Sequence, residues 1–133
     1  MTFCLESTIV KSEKDENINN VVVLFHGYGG DGKDISMLTQ NWKRHMPNTI
    51  FICPNGHETC SINPSGYQWF DLTKDDPEYI MQEALKAEKK INKFLDEIKE
   101  EYKLENKQIC LSGFSQGCMM SINVGLTAEN SFG

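Results

Sequence analysis

A serine flanked by glycines is the first feature of this sequence that could do chemistry. It is Ser115, in the G-x-S-x-G pattern Gly113-Phe114-Ser115-Gln116-Gly117. The pattern lies between a short apolar run and a segment with helical spacing, which is the context of a nucleophile elbow. Glycines two positions away leave room for a sharp turn, and the helix N-terminus behind it favours negative charge. We interpret Ser115 as a nucleophile for acyl transfer; the alternative is a serine in an ordinary glycine-rich turn.

A second glycine-rich segment predicts where an oxyanion could be held. His26-Gly27-Tyr28-Gly29-Gly30 directly follows the apolar run Val21–Phe25. A tetrahedral acyl-transfer intermediate needs two N–H donors aimed at its oxyanion. One donor usually belongs to the residue after the nucleophile, here Gln116, and the other to a loop after an earlier strand, here Tyr28. We interpret His26 itself as a structural histidine that supports the loop, and the segment does not have P-loop spacing.

Alternating strand-like and helix-like segments must position these loops. Short apolar runs predict buried strands at Val21–Phe25, Thr49–Cys53 and Gln108–Ser112. The more polar N-terminal run Phe3–Val10 predicts an edge strand. Residues Lys11–Asn20 are predicted to form a turn. Apolar spacing of three to four residues predicts three helices. The first is Ile35–Met46, capped by Asp34, with Ile35, Leu38 and Trp42 on one face. The others are Pro77–Tyr102, capped by Asp76, and Cys118–Thr127. The order predicts an α/β fold with a parallel sheet flanked by helices.

Composition excludes several classes of partner. The chain has 133 residues, 39% of them hydrophobic and 24% charged, which is the size and composition of one globular domain. Its formal net charge of −6 argues against a nucleic-acid or anionic-membrane partner. No apolar run approaches a membrane span, so we expect no stable membrane insertion. The first 20 residues do not resemble a secretory signal, so we expect a cytoplasmic protein.

Cysteine spacing predicts neither a disulfide framework nor a zinc site. The five cysteines are scattered and never form a C-x-x-C pair. Each is interpreted as a small buried hydrophobe. We therefore expect no metal and no cofactor.

Three blocks of the sequence resemble the phospholipase/carboxylesterase family of α/β-hydrolases, the group that contains the acyl-protein thioesterases. They are Leu24-Phe25-His26-Gly27-Tyr28-Gly29, Tyr67-Gln68-Trp69-Phe70-Asp71 and Leu111-Ser112-Gly113-Phe114-Ser115-Gln116-Gly117. Their order and approximate spacing are those of the family. One departure is Cys118, at a position where the family usually has glycine.

The resemblance implies roles for four residues. Ser115 would be the nucleophile, and the N–H groups of Tyr28 and Gln116 would form the oxyanion hole. Trp69 would lie near the acyl pocket and bind substrate, although an aromatic residue buried in the core explains it equally well. The implied substrates are small carboxylic esters, thioesters or lysophospholipids.

A serine nucleophile also needs a histidine base and an acid that orients it. In this fold both follow the serine in sequence. After Ser115 this chain has one acid, Glu129, and no histidine. His57 would require a triad order foreign to the fold. We therefore expect residues 1–133 to form a single partial domain, the N-terminal half of an α/β-hydrolase, inactive alone.

Two other readings compete with a hydrolase. The first is a non-catalytic half-domain that needs a second chain to fold or act, because the last strand would have an exposed edge prone to self-association. The second is a nucleotide-binding βαβ protein, which is disfavoured because no dinucleotide fingerprint follows any strand.

Overall fold

The computed structural model describes residues 3–11 and 17–133, and part of the predicted Lys11–Asn20 turn lies outside them. The strands are β1 (Ser7–Lys11), β2 (Asn20–Phe25), β3 (Thr49–Pro54), β4 (Glu58–Thr59), β5 (Tyr67–Gln68) and β6 (Ile109–Gly113). Four of them form one sheet in the order β1-β3-β2-β6, while β4 and β5 pair separately. The predicted parallel strands are confirmed, since β2 pairs in parallel with β3 and β6. The edge strand β1 is antiparallel to β3, so the sheet is mixed.

The longest helix is α3 (Pro77–Tyr102), as predicted. The Asp76 carboxylate accepts a hydrogen bond from the N–H of Glu78 at 3.1 Å, and Pro77 occupies the first helical turn. Its buried side chains are Ala87, Ile91, Phe94, Leu95 and Ile98. In the part of the chain that the structure describes, no helix is long and apolar enough to cross a membrane.

The predicted helix Ile35–Met46 is wrong. The segment forms two short helices, α1 (Gly32–Ser36) and α2 (Thr39–Trp42), followed by a 3₁₀ turn at Lys43–His45. Asp31, not Asp34, caps α1, because its carboxylate accepts the N–H of Asp34 at 2.7 Å.

Side-chain hydroxyls explain why that helix is broken. Ser36 Oγ donates to the carbonyl of Lys33 at 2.6 Å, and Thr39 Oγ1 donates to the carbonyl of Ser36 at 2.7 Å. Such local bonds compete with helical ones. The predicted apolar face gives little support, since Leu38 and Trp42 are 51% and 40% exposed.

The two faces of the sheet are covered unequally. The larger core lies between the sheet and the helices α3 and α4 (Gln116–Thr127), and includes Val23, Ile52 and Val124. The opposite face buries a smaller cluster, against which Ile35 of α1 packs; its members are Val22, Leu24, Phe51 and Cys53. Within the described residues β6 pairs only with β2, so one edge of the sheet is open.

Candidate active site

Ser115 lies on a strained turn between β6 and α4. Its backbone has φ 55° and ψ −115°, a conformation that residues with a side chain rarely adopt. The flanking glycines are required sterically. A Cβ on Gly117 would overlap the carbonyl oxygen of Phe25, and a Cβ on Gly113 would overlap the backbone of Gly117. The exposed Ser115 side chain therefore projects from the head of α4.

The loop after β2 packs directly against this turn. The N–H of Phe114 donates to the carbonyl of Phe25 at 3.0 Å. A Cβ built on Gly27 would lie 3.1 Å from the ring of Phe114 and 3.3 Å from its carbonyl oxygen, so a side chain at position 27 would press against the elbow. The peptide that carries the N–H of Tyr28 begins at Gly27, which brings the two predicted loops together.

The two predicted oxyanion donors are unengaged. Within residues 3–11 and 17–133, neither the N–H of Tyr28 nor that of Gln116 donates a hydrogen bond. The first N–H groups of a helix have no partner inside the helix, which accounts for Gln116. The free amide of Gln116 follows Ser115 directly, and that of Tyr28 lies in the loop packed against the elbow; free N–H groups of this kind can stabilise a developing oxyanion.

The long loop between β3 and β5 holds the Tyr28 loop in place. Tyr67 exchanges two backbone hydrogen bonds with it, accepting from Gly29 at 2.9 Å and donating to Gly30 at 2.9 Å. Asn63 Nδ2 donates to the carbonyl of Gly29 at 2.8 Å. Asn55 Oδ1 accepts the N–H of Gly32 at 2.8 Å. Nothing in the sequence distinguishes these two asparagines from the others.

His26 is a buried member of this scaffold. Its Nε2 accepts the N–H of Gly56 at 2.8 Å, so Nδ1, 2.6 Å from the carbonyl of Gly27, is the protonated nitrogen. Burial lowers the pKa of His26. With both nitrogens engaged, His26 acts as a neutral support and has no nitrogen free to serve as a base, as its structural interpretation requires.

Trp69 lies beneath the site, where it contacts Gln116, His26 and Phe25. Trp69 is fully buried, with its ring 5.1 Å from that of His26 and stacked on it, and 5.3 Å from that of Phe25. Its Nε1 donates to the carbonyl of His26 at 2.9 Å. Substrate binding by Trp69 stays a prediction; in the structure its indole packs against His26 and Phe25.

A surface pocket of about 310 Å³ lies beside the elbow and is lined there by Phe114. It is lined by apolar side chains of α1, the following turn and the elbow, namely Ile35, Leu38 and Phe114, and by Tyr28. Two carboxylates, Asp31 and Asp34, lie in the same lining. An apolar pocket beside a nucleophile suits the hydrocarbon part of an ester.

Within the described residues, no hydrogen bond joins Ser115 to the other ionisable candidates. Glu129 follows the far end of α4, about 18 Å of helix from Ser115 at 1.5 Å per residue. His57 Nε2 is 3.8 Å from a Glu58 carboxylate oxygen, and burial lowers the pKa of His57. His45 is exposed in the 3₁₀ turn.

A strained serine between strand and helix, on a sheet with helices on both faces, is the signature of the α/β-hydrolases. The chain belongs to one family of that class, described as Phospholipase/Carboxylesterase, which matches residues 6–133.

Solved structures and sequence relatives agree with this assignment. Esterase PE8 superposes with a TM-score of 0.88 and 34% identity over 96% of this chain and 60% of that one. A Bacillus cereus carboxylesterase shares the fold, with a TM-score of 0.74 and 20% identity over 97% of this chain and 57% of that one. The acyl-protein thioesterase 1 of Emericella nidulans is 32% identical over 84% of this chain and 52% of its own length. The chain thus spans about half the length of the curated relatives that it matches.

Proposed function

We propose that this chain carries the nucleophile and the oxyanion hole of a serine hydrolase that cleaves carboxylic esters or thioesters. The observation that supports this most directly is the exposed Ser115 on a strained turn, beside the unengaged N–H groups of Tyr28 and Gln116. Each element of the reaction then has a candidate atom, apart from the base.

In this proposal Ser115 Oγ attacks the carbonyl carbon, and the electron pair of the C=O bond moves onto oxygen. The N–H groups of Tyr28 and Gln116 stabilise that oxyanion. The intermediate collapses to an acyl-serine and releases an alcohol or thiol, and water later hydrolyses the acyl-serine. The serine proton passes to a histidine oriented by an aspartate, and from that histidine to the leaving alcohol or thiol; both residues would come from sequence outside this chain.

The substrate class follows from the pocket and the relatives. An apolar lining at Ile35, Leu38 and Phe114 suits an acyl or alkyl chain. The family description, Phospholipase/Carboxylesterase, supports carboxylic and phospholipid esters as substrates, lysophospholipids among them, and the relative named acyl-protein thioesterase 1 supports thioesters. We place the protein in the cytoplasm, which suits the five free cysteines.

A fluorophosphonate probe tests the nucleophile. We expect slow but stoichiometric labelling of Ser115, located by peptide mass spectrometry, and no label there in Ser115→Ala. The matched control is Ser121→Ala, a serine of α4 outside the turn, which should be labelled like the unaltered chain. Absence of label in a chain whose circular dichroism shows a folded α/β protein would contradict the proposal.

A second candidate function is a half-domain completed by another chain. It is favoured by the open edge of β6 and by α4, which exposes Met119, Ile122 and Leu126 by 56% to 82%. Gel filtration combined with circular dichroism tests it. The half-domain reading expects self-association or an incompletely folded chain, whereas a folded monomer that turns over an ester would exclude it.

A further inference from the structure

The buried side chain of Gln116 spans the gap between the elbow and the 67–70 segment. Its Oε1 accepts the backbone N–H of Trp69 at 2.8 Å, and its Nε2 donates to the carbonyl of Phe70 at 2.8 Å. Gln116 is 2% exposed, so water does not compete for these bonds. A buried amide satisfied at both ends holds its partners in one arrangement, because moving either one leaves a polar group unpaired.

A second contact continues from Trp69 to the other donor. The indole N–H of Trp69 donates to the carbonyl of His26 at 2.9 Å, and the indole ring stacks on the imidazole. The peptide of His26 lies two residues before Tyr28. The two candidate oxyanion donors, more than 80 residues apart in sequence, are therefore joined by one path through the Gln116 side chain, Trp69 and His26.

We infer that the Gln116 side chain is a positioning residue that fixes the spacing between the two oxyanion donors. The inference rests on the proposed function, since it assigns the amide groups of Tyr28 and Gln116 to one oxyanion. Gln116 would then have two separate roles: its backbone N–H contacts the oxyanion, and its side chain sets where the opposing N–H lies.

The residue type agrees with this role. Asparagine is one methylene shorter and could not keep both contacts, which span the elbow and the backbone at Trp69 and Phe70. An ionised glutamate would turn an oxygen toward the carbonyl of Phe70 and lose the donor. Methionine matches glutamine in length but makes neither bond, so Gln116→Met removes the bridge and retains the bulk.

The experiment measures oxyanion stabilisation without needing a base. Ser115→Cys supplies a thiolate that attacks two reagents by different routes. With p-nitrophenyl acetate the thiolate forms a tetrahedral oxyanion and expels p-nitrophenolate, whereas with iodoacetamide it displaces iodide and no oxyanion forms. The ratio of the two rates, read at position 115 by mass spectrometry, cancels thiol ionisation. The exposed Cys110 of the same chain gives the reference ratio.

The proposed function and the inference make distinct predictions. If the oxyanion hole exists, the acylation-to-alkylation ratio at position 115 in Ser115→Cys exceeds that of Cys110 by about a hundredfold. If Gln116 positions the donors, adding Gln116→Met lowers that ratio about tenfold or more and leaves Cys110 unchanged. A ratio at position 115 equal to that of Cys110 would sink the proposed function.

A second variant keeps the test decisive if Gln116→Met impairs folding. Trp69→Phe retains an aromatic ring and both contacts of Gln116, and removes only the indole bond to His26. It should also lower the ratio at position 115, by less than Gln116→Met does. An elevated ratio that neither substitution lowers, in chains with unchanged circular dichroism, would overturn the positioning role while leaving the oxyanion hole intact.

Discussion

Ser115 combines an exposed hydroxyl with a backbone conformation that costs free energy. At φ 55° and ψ −115° its backbone is held in a sparsely populated region, for which typical costs are about 1–3 kcal/mol. The glycines at positions 113 and 117 do not relieve that strain, since they only make room for the turn. The surrounding structure therefore maintains a residue that a purely structural turn would replace with glycine.

Ser115→Gly should raise the free energy of unfolding by about 1 kcal/mol relative to Ser115→Ala, because glycine adopts a positive φ without strain. Urea denaturation measures the difference. The matched control is Ser121→Gly in α4, which should lower the free energy of unfolding by several tenths of a kcal/mol through helix propensity. If Ser115→Gly lowered the free energy of unfolding as much as Ser121→Gly does, the result would contradict strain at the elbow.

His26 makes stability depend on pH. Burial lowers the pKa of both His26 and His57 below the ordinary 6.5, so the unfolded chain takes up protons that the folded chain refuses. The free energy of unfolding should be highest above pH 6.5 and fall as the pH drops below it. His26→Gln should reduce this fall below about pH 6.5.

His57→Gln provides the comparison, since it leaves the His26 contribution in place. Urea midpoints at several pH values measure both slopes. An unchanged slope in His26→Gln would show that protonation of His26 is not coupled to unfolding.

At the scale of the elements, the elbow is limited by space at the start of α4. A Cβ at position 117 would overlap the carbonyl of Phe25, whereas one at Gly125 would lie 4.0 Å from the Leu111 side chain. Gly117→Ala should therefore cost about 3 kcal/mol or more of unfolding free energy. Gly125→Ala, in the same helix, should gain up to about 1 kcal/mol. Thermal unfolding compares them, and equal effects would contradict close packing of α4 on β2.

Strands and α3 could be predicted because their signals are local. Val21–Phe25 is a continuous apolar run, and Asp76 with Pro77 marks a helix start that the structure reproduces. The helix over 35–46 could not be excluded from its apolar spacing, since hydroxyl-to-carbonyl bonds at Ser36 and Thr39 break it. Trp69 stayed ambiguous for a different reason: only the folded chain brings it against His26, 43 residues away.

At the scale of the whole molecule, strand β6 forms an open edge of the sheet within the described residues. Strand β6 has β2 as its sole partner in the described part of the chain, and Cys110 on β6 is exposed. Unpaired N–H and C=O groups along an edge can bind another strand. The same edge supports the half-domain reading, in which a second polypeptide would occupy it.

Cys110→Lys should reduce concentration-dependent association, because a charged side chain on an open edge disfavours strand pairing. Light scattering across a dilution series measures it. The control is Ile9→Lys on β1 at the opposite edge, a site already 45% exposed, where we expect a smaller effect. Association that is identical in all three chains would exclude β6 as the contact.

The hydrogen bonds between the Tyr28 loop and the 55–69 segment have a consequence for local unfolding. Gly29, Gly56, Tyr67 and Trp69 each place a backbone amide in the same network. Their amide protons should therefore exchange with solvent at one shared rate, as a cooperative unit. Fraying of either segment would then release the other, so the loop that carries Tyr28 and the 55–69 segment should open together.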